Sequence, residues 1–170
     1  MSRDKLQQGF TLLEFIAVIV MIGVLSASAL KYYADIVDDA RIAGVQFLSG
    51  RFSAAVAGVH VKWMIDGRPK IIELDGYHLA VNAGGWPIGE SRIGAKGTAN
   101  ICQQLWESLL QNPSRLPDVI PTNSSGVQYW STKPAKNVCR YNLVTRDSSQ
   151  YYFEYYMENG RVRSVTDYLE

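Results

Sequence analysis

The chain has 170 residues, enough for one medium domain, and its 17 Lys+Arg nearly cancel its 16 Asp+Glu. So even a balance gives no overall field toward nucleic acid or anionic lipid, and ten Tyr with four Trp set the composition apart from a disordered tail. The two cysteines, Cys102 and Cys139, form no CxxC and no Cys/His cluster at metal-ligand spacing. Residues 1–9, MSRDKLQQG, are a short polar leader with Arg3 and Lys5 set against Asp4. From Phe10 to Leu30 the chain is apolar except for one carboxylate, Glu14, and Lys31 lies just beyond. Twenty-one helical residues rise about 31 Å, the hydrocarbon thickness of a bilayer, so residues 10–31 read as a transmembrane helix. The positive leader predicts a cytoplasmic N-terminus, with the chain after Lys31 on the other side.

Three readings compete for this segment. A cleaved secretory signal peptide is shorter in its apolar run and ends in an A-x-A-like site, for which only Ser26–Ala29 is a candidate. A plain signal anchor explains length and flanks but leaves Glu14 without a role, although a carboxylate at the bilayer centre costs roughly 2.5–3.5 kcal/mol. The third reading supplies a partner. Cleavage between Gly9 and Phe10 creates an α-amino group four residues before Glu14, and in a staggered bundle of identical helices that amine can reach Glu14 of a neighbour. In low dielectric such a pair sets axial register.

The stretch GFTLLEF, ahead of about twenty apolar residues, resembles the class III signal of type IV pilins and pseudopilins. Gly, then Phe, Thr-Leu-Leu and Glu stand at that family's spacing behind a short charged leader. The resemblance implies cleavage after Gly9 by a membrane prepilin peptidase, N-methylation of Phe10, and a role for Glu14 in recruiting and registering subunits. It departs from many pilins in lacking a proline near the end of the membrane segment, where Ala29-Leu30-Lys31 stand. The later stretch DDARIAGVQFLSGRFSAAVAGVHVKW, followed by GGWP, is similar to mannose-sensitive haemagglutinin-type (MSHA-type) pilins.

Beyond Lys31 no proline occurs until Pro69, and Val45, Leu48, Phe52, Val56, Val59 and Trp63 recur at steps of three and four. This predicts one helix from Phe10 to about Met64, with residues 32–66 an amphipathic continuation whose stripe packs on a sheet. Asp38 and Arg41 are spaced for an i,i+3 pair, and Asp35, Asp38 and Asp39 read as a solvated face more readily than as a cation site. Asp66–Pro69 ends the helix, and residues 67–170 form an α+β head. KIIEL and YHLAV flank Asp75-Gly76, a type I′ hairpin signal. NAGGWPIGE reads as an ordered loop. Thr98 is the expected N-cap of a short helix, ANICQQLWESLLQ, stopped before Pro113. Pro113, Pro117 and Pro121 keep the chain irregular, after which VQYWS, VCRYNLV, QYYFEYYM and RVRSVTDYL read as strands, with RDSS and Asn159-Gly160 as turns. On the third of these, Tyr151, Phe153, Tyr155 and Met157 share the face expected against the long helix. Tyr152, Glu154, Tyr156 and Glu158 share the other face, either a partner surface or an ordinary half-wet sheet face.

A long N-terminal helix on an antiparallel sheet is also the pilin architecture that the resemblance implies. In an oxidising compartment Cys102 and Cys139 are the natural disulfide pair, with two buried free thiols as the alternative. The only histidines, His60 and His78, have no acid and nucleophile placed with them, and no GxSxG, P-loop or HExxH occurs, so no enzyme, cofactor or metal is expected. The resulting expectation is a structural subunit of a type IV pilus, MSHA-like and perhaps minor, that serves in attachment and adhesion. Its alternative is a pseudopilin of a type II secretion system. Expected partners are other pilin subunits, the prepilin peptidase, an inner-membrane assembly platform and the membrane. The expected location is the bacterial inner membrane before assembly, and an extracellular pilus or periplasmic pseudopilus after it. Nucleic acid is not expected, because Lys133, Lys136, Arg140, Arg161 and Arg163 make only a weak basic stripe. A membrane-anchored monomeric binding module needs neither Gly9 nor Glu14.

Overall fold

The computed structural model describes residues 11–90, 100–113, 116–117, 128–145 and 150–167. Helix α1 runs Leu12–Ile65, and the chain divides into two compact units, Met1–Ala40 and Arg41–Glu170. In the first unit the described part is helical and its apolar side chains from Leu12 to Leu30 are exposed, Leu13, Met21, Val24 and Leu25 among them.

The second unit holds the core. Val45, Phe52, Val56 and Val59 of α1 are buried, with Leu48 and Trp63 packed beside them, as the three- and four-residue spacing predicts. α1 stops at a Schellman turn. Gly67 takes φ +81°, and the Arg68 N–H donates to the Trp63 carbonyl at 2.9 Å, which satisfies a carbonyl the helix leaves open. Pro69 follows and prevents continuation.

The strands form two antiparallel sheets. One orders β1 (Ile71–Leu74), β2 (Tyr77–Val81) and β3 (Pro87–Glu90) side by side. The other orders β4 (Tyr129–Ala135), β5 (Val138–Leu143), β6 (Gln150–Tyr156) and β7 (Arg161–Asp167). Asp75 and Gly76 join β1 to β2 with φ +47° and +84°, the type I′ geometry their identities favour. The stretch expected as a loop after β2 contains β3. Proline is tolerated as the first residue of this edge strand, and Gly89 pairs with Ala80 despite having no side chain to declare a strand. Pro134 falls within the bulge that shifts the β4–β5 register between Thr132 and Ala135, so its missing N–H costs no ladder bond.

Short helix α2 (Ile101–Leu109) starts at Asn100, whose side-chain oxygen accepts from the Cys102 N–H at 3.1 Å. The expected cap, Thr98, lies outside the described residues, as do the RDSS turn and Pro121. Cys102 and Cys139 are disulfide-bonded, which ties α2 to β5.

Phe52 meets the rings of Tyr141, Phe153 and Tyr155 at centroid distances of 5.2, 5.5 and 5.5 Å, so α1 packs on the face of β6 assigned to it. Trp106 of α2 extends the cluster to Tyr141 at 5.3 Å and Tyr129 at 5.6 Å. The buried hydroxyls are satisfied: Tyr141 donates to the Cys102 carbonyl at 2.9 Å, and Tyr155 donates to the Pro87 carbonyl at 2.8 Å. Burial pushes both phenols above the ordinary tyrosine range.

The segment between β2 and β3 fastens the two sheets. The Asn82 side chain accepts from the Gly84 and Trp86 N–H groups at 2.8 and 3.0 Å and donates to the Met157 carbonyl at 2.7 Å. His60 stacks between Trp86 at 4.1 Å and Trp63 at 5.5 Å. Two glycines make this packing fit, since a Cβ on Gly85 would land in the Trp63 ring and one on Gly160 in the Trp86 ring.

Gly160→Ala therefore lowers stability by roughly 1–3 kcal/mol through overpacking, read by denaturant titration of the detergent-solubilised chain. Gly50→Ala, in the middle of α1 with nothing within 4 Å of the added carbon, raises stability by about 0.5–1 kcal/mol.

Candidate assembly site

The first turn of α1 carries Glu14, the acid singled out from the sequence. Thr11 stands just ahead of the helix, and its hydroxyl oxygen accepts from the Glu14 N–H at 3.3 Å. The Phe15 N–H donates to the Thr11 carbonyl at 3.2 Å, the first rung of the helix. Thr-Leu-Leu-Glu thus has the spacing of a capping box, in which a threonine N-cap satisfies the amide of an acid at the third helical position. The T-x-x-E spacing of the sequence announces this local role of Thr11 beside the Glu14 charge. A carboxylate in the first turn also lies at the positive end of the helix dipole.

Glu14 is exposed, and so is every described apolar side chain from Leu12 to Leu30. Gly9 and Phe10 lie outside the described residues. α1 is, among the described residues, the one helix long and apolar enough to cross a membrane. Ser28 within that stretch returns its hydroxyl to the Leu25 carbonyl at 2.9 Å, which hides a polar group that the apolar setting would otherwise penalise. A helix that shows apolar side chains all round, with one acid at its tip, can insert in lipid or pack in a bundle of like helices.

Residues 4–30 match a family described as the prokaryotic N-terminal methylation motif. No curated protein and no solved structure matches the chain. The motif is the class III prepilin signal, and with the helix-on-sheets fold it supports a type IV pilin or a pseudopilin. It indicates a structural protein that is processed by a prepilin peptidase, anchored in a membrane by its apolar helix and assembled with other pilins.

The second surface marked in the sequence is the outer face of β6. Glu154 is only 8% exposed there. Arg140 on β5 donates to Glu154 Oε1 through Nη2 at 2.8 Å and Nε at 3.0 Å, and the Tyr156 hydroxyl donates to Oε2 at 2.7 Å. The same guanidinium lies 4.2 Å from the centre of the Tyr152 ring. Burial by itself raises the Glu154 pKa, but the hydrogen bonds from Tyr156 and Arg140 and the charges of Arg140 and Arg163 outweigh it and hold the carboxyl below its usual range. Of the scattered cations, Arg140 is therefore committed to a sheet-face ion pair. His60 and His78 are on different elements, and no group of three or more His, Cys, Asp or Glu side chains gathers among the described residues as metal ligands do.

Thr11→Val removes the cap and speeds hydrogen exchange at the Glu14 and Phe15 amides, measured by NMR in micelles, while the rest of α1 is unchanged. Glu154 titrates lower folded than unfolded, so its ion pair stabilises fully above about pH 5 and is lost as pH falls through the folded pKa. Glu154→Gln accordingly flattens the acid side of the melting temperature against pH profile and leaves its slope near neutral pH unaltered.

Proposed function

We propose that the chain is a type IV pilin of the MSHA type, a structural subunit of a surface filament used for attachment. The observation that carries this reading is the GFTLLEF signal ahead of an exposed apolar helix that opens on Glu14. Cleavage between Gly9 and Phe10 removes the charged leader and leaves an N-methylated amine at the head of the helix. The methylated amine keeps its charge. Once the helix leaves lipid for a bundle, that amine and the Glu14 of a neighbour neutralise one another, and each would be costly alone. The ion pair selects one axial stagger among many that apolar packing alone tolerates. Before assembly the N-terminus is cytoplasmic and the head lies across the inner membrane, because the leader carries the positive charge. The Cys102–Cys139 bridge fits a head that folds in an oxidising compartment.

The pseudopilin of a type II secretion system uses the same signal, and the two differ in where the processed chain accumulates. Mass spectrometry of filaments sheared from cells is expected to yield a peptide that begins at Phe10 with one added methyl. The same peptide confined to the membrane fraction favours the pseudopilin, and an uncut chain retaining Met1–Gly9 beside an active peptidase overturns both. Glu14→Val is expected to leave membrane insertion intact and abolish incorporation into filaments. Unchanged incorporation sinks the register role.

A further inference from the structure

A cleft of about 630 Å³ opens in the Arg41–Glu170 unit where the end of α1 meets the start of β1 and the end of β2. Sites for small ligands run to roughly 300–1,000 Å³, so the volume is ample. Its apolar lining includes Trp63 of α1 together with Ile71 and Ala80, which pair directly across β1 and β2. Its charged lining is Arg68 and Lys70, and among the described residues no acid lines it. Asp66, the acid nearest Arg68 in the chain, is bonded to Lys62 at 3.0 Å. Among the described residues neither Arg68 nor Lys70 has an ion-pair partner.

Arg68 sits on unfavourable backbone. Its φ of +62° is left-handed, which is uncommon outside glycine, and the residue before a proline ordinarily stays extended. Backbone held against preference in this way gathers at ligand sites. Here the guanidinium lies over the Trp63 ring, 5.5 Å from its centre. The Trp63 indole N–H donates to the Pro69 carbonyl at 3.0 Å, and the Val81 N–H donates to the Lys70 carbonyl at 3.1 Å. These bonds fix the wall beneath both cations and leave their charged ends unused.

We infer that this cleft binds an aromatic carboxylate, its charged head on Arg68 and Lys70 and its ring on the apolar lining. A guanidinium meets a carboxylate through two parallel N–H···O bonds, and the lysine ammonium adds a point charge. The Trp63, Ile71 and Ala80 surface takes the ring out of water, which a bare inorganic anion would leave uncovered. Two cations suit a single negative head rather than a long polyanion. The inference stands apart from the assembly role proposed above, and its readout needs neither cleavage nor a filament.

The test titrates sodium benzoate into the full, isotope-labelled chain in nonionic micelles at fixed ionic strength, following the Trp63 indole N–H and the Ala80 amide by NMR. Saturable shifts with a dissociation constant of about 1 mM are expected for so small a probe. Benzamide, which lacks the charge, and acetate, which lacks the ring, are each expected to bind about tenfold more weakly. Arg68→Asn removes the guanidinium but tolerates left-handed backbone, so it should weaken benzoate about tenfold at the parent melting temperature. Lys70→Gln, which keeps the carbonyl that Val81 uses, is the second variant and should weaken binding by a similar factor. No saturation by about ten times the expected constant overturns the inference. So does equal binding of benzamide or acetate, or benzoate binding unchanged in either folded variant. A capped peptide ending in phenylalanine then distinguishes the source of the acid. With its carboxylate free, tighter binding than benzoate identifies the end of another chain, and weaker binding identifies a free acid.

Discussion

A phenol taken out of water needs an acceptor, and the two deepest tyrosines find theirs on neighbouring elements. Tyr141 of β5 reaches the Cys102 carbonyl at the start of α2, and Tyr155 of β6 reaches the Pro87 carbonyl at the start of β3. Leaving either hydroxyl unpaired would cost about 1–3 kcal/mol. The same rings surround Phe52, so one pair of strands supplies both the apolar cover for α1 and the polar anchors for α2 and β3. The disulfide strengthens the first anchor covalently, and Asn82 strengthens the second by bridging to Met157.

The two ends of α1 face different solvents under different rules. Between Val45 and Val59 the helix buries one stripe and leaves the other face open. Near the N-terminus all faces are exposed and nearly all are apolar, an arrangement unsuited to water and suited to lipid or to other helices. Glu14 is intelligible in that setting at two scales. Locally, the Thr11 hydroxyl caps its amide and the helix dipole welcomes its charge. At the scale of the assembly proposed above, the same carboxylate would meet the amine that another chain brings.

Much of this was legible in the sequence because it rests on periodicity. The α1 stripe, the β6 alternation, the Asp75-Gly76 turn and the end at Gly67 are local patterns with local causes. Strand β3 was not legible, because Pro87 and Gly89 read as loop residues until β2 is present to pair with them. The α2 cap was not legible either: Asn100 holds that place, its side-chain oxygen accepting from the Cys102 N–H. Glu154 read as one of a set of outward residues, yet Arg140 and Tyr156 close over it. No pattern in the chain announces that Trp63 needs Gly85 or that Trp86 needs Gly160, since those contacts exist only after the sheets meet.

The edges of the sheets carry a consequence of their own. β3 opens on a proline, β4 has Pro134 in its bulge, and β7 bears exposed Arg161 and Arg163. Bare strand edges invite pairing with the next molecule, and proline, bulges and charge are the usual deterrents. A protein with an apolar helix and two open sheets has two routes to polymerise, one of them amyloid-like. Three of the four edges carry such a deterrent, and β1, the fourth, is only four residues long, so the sheets are poor templates beside the exposed apolar helix.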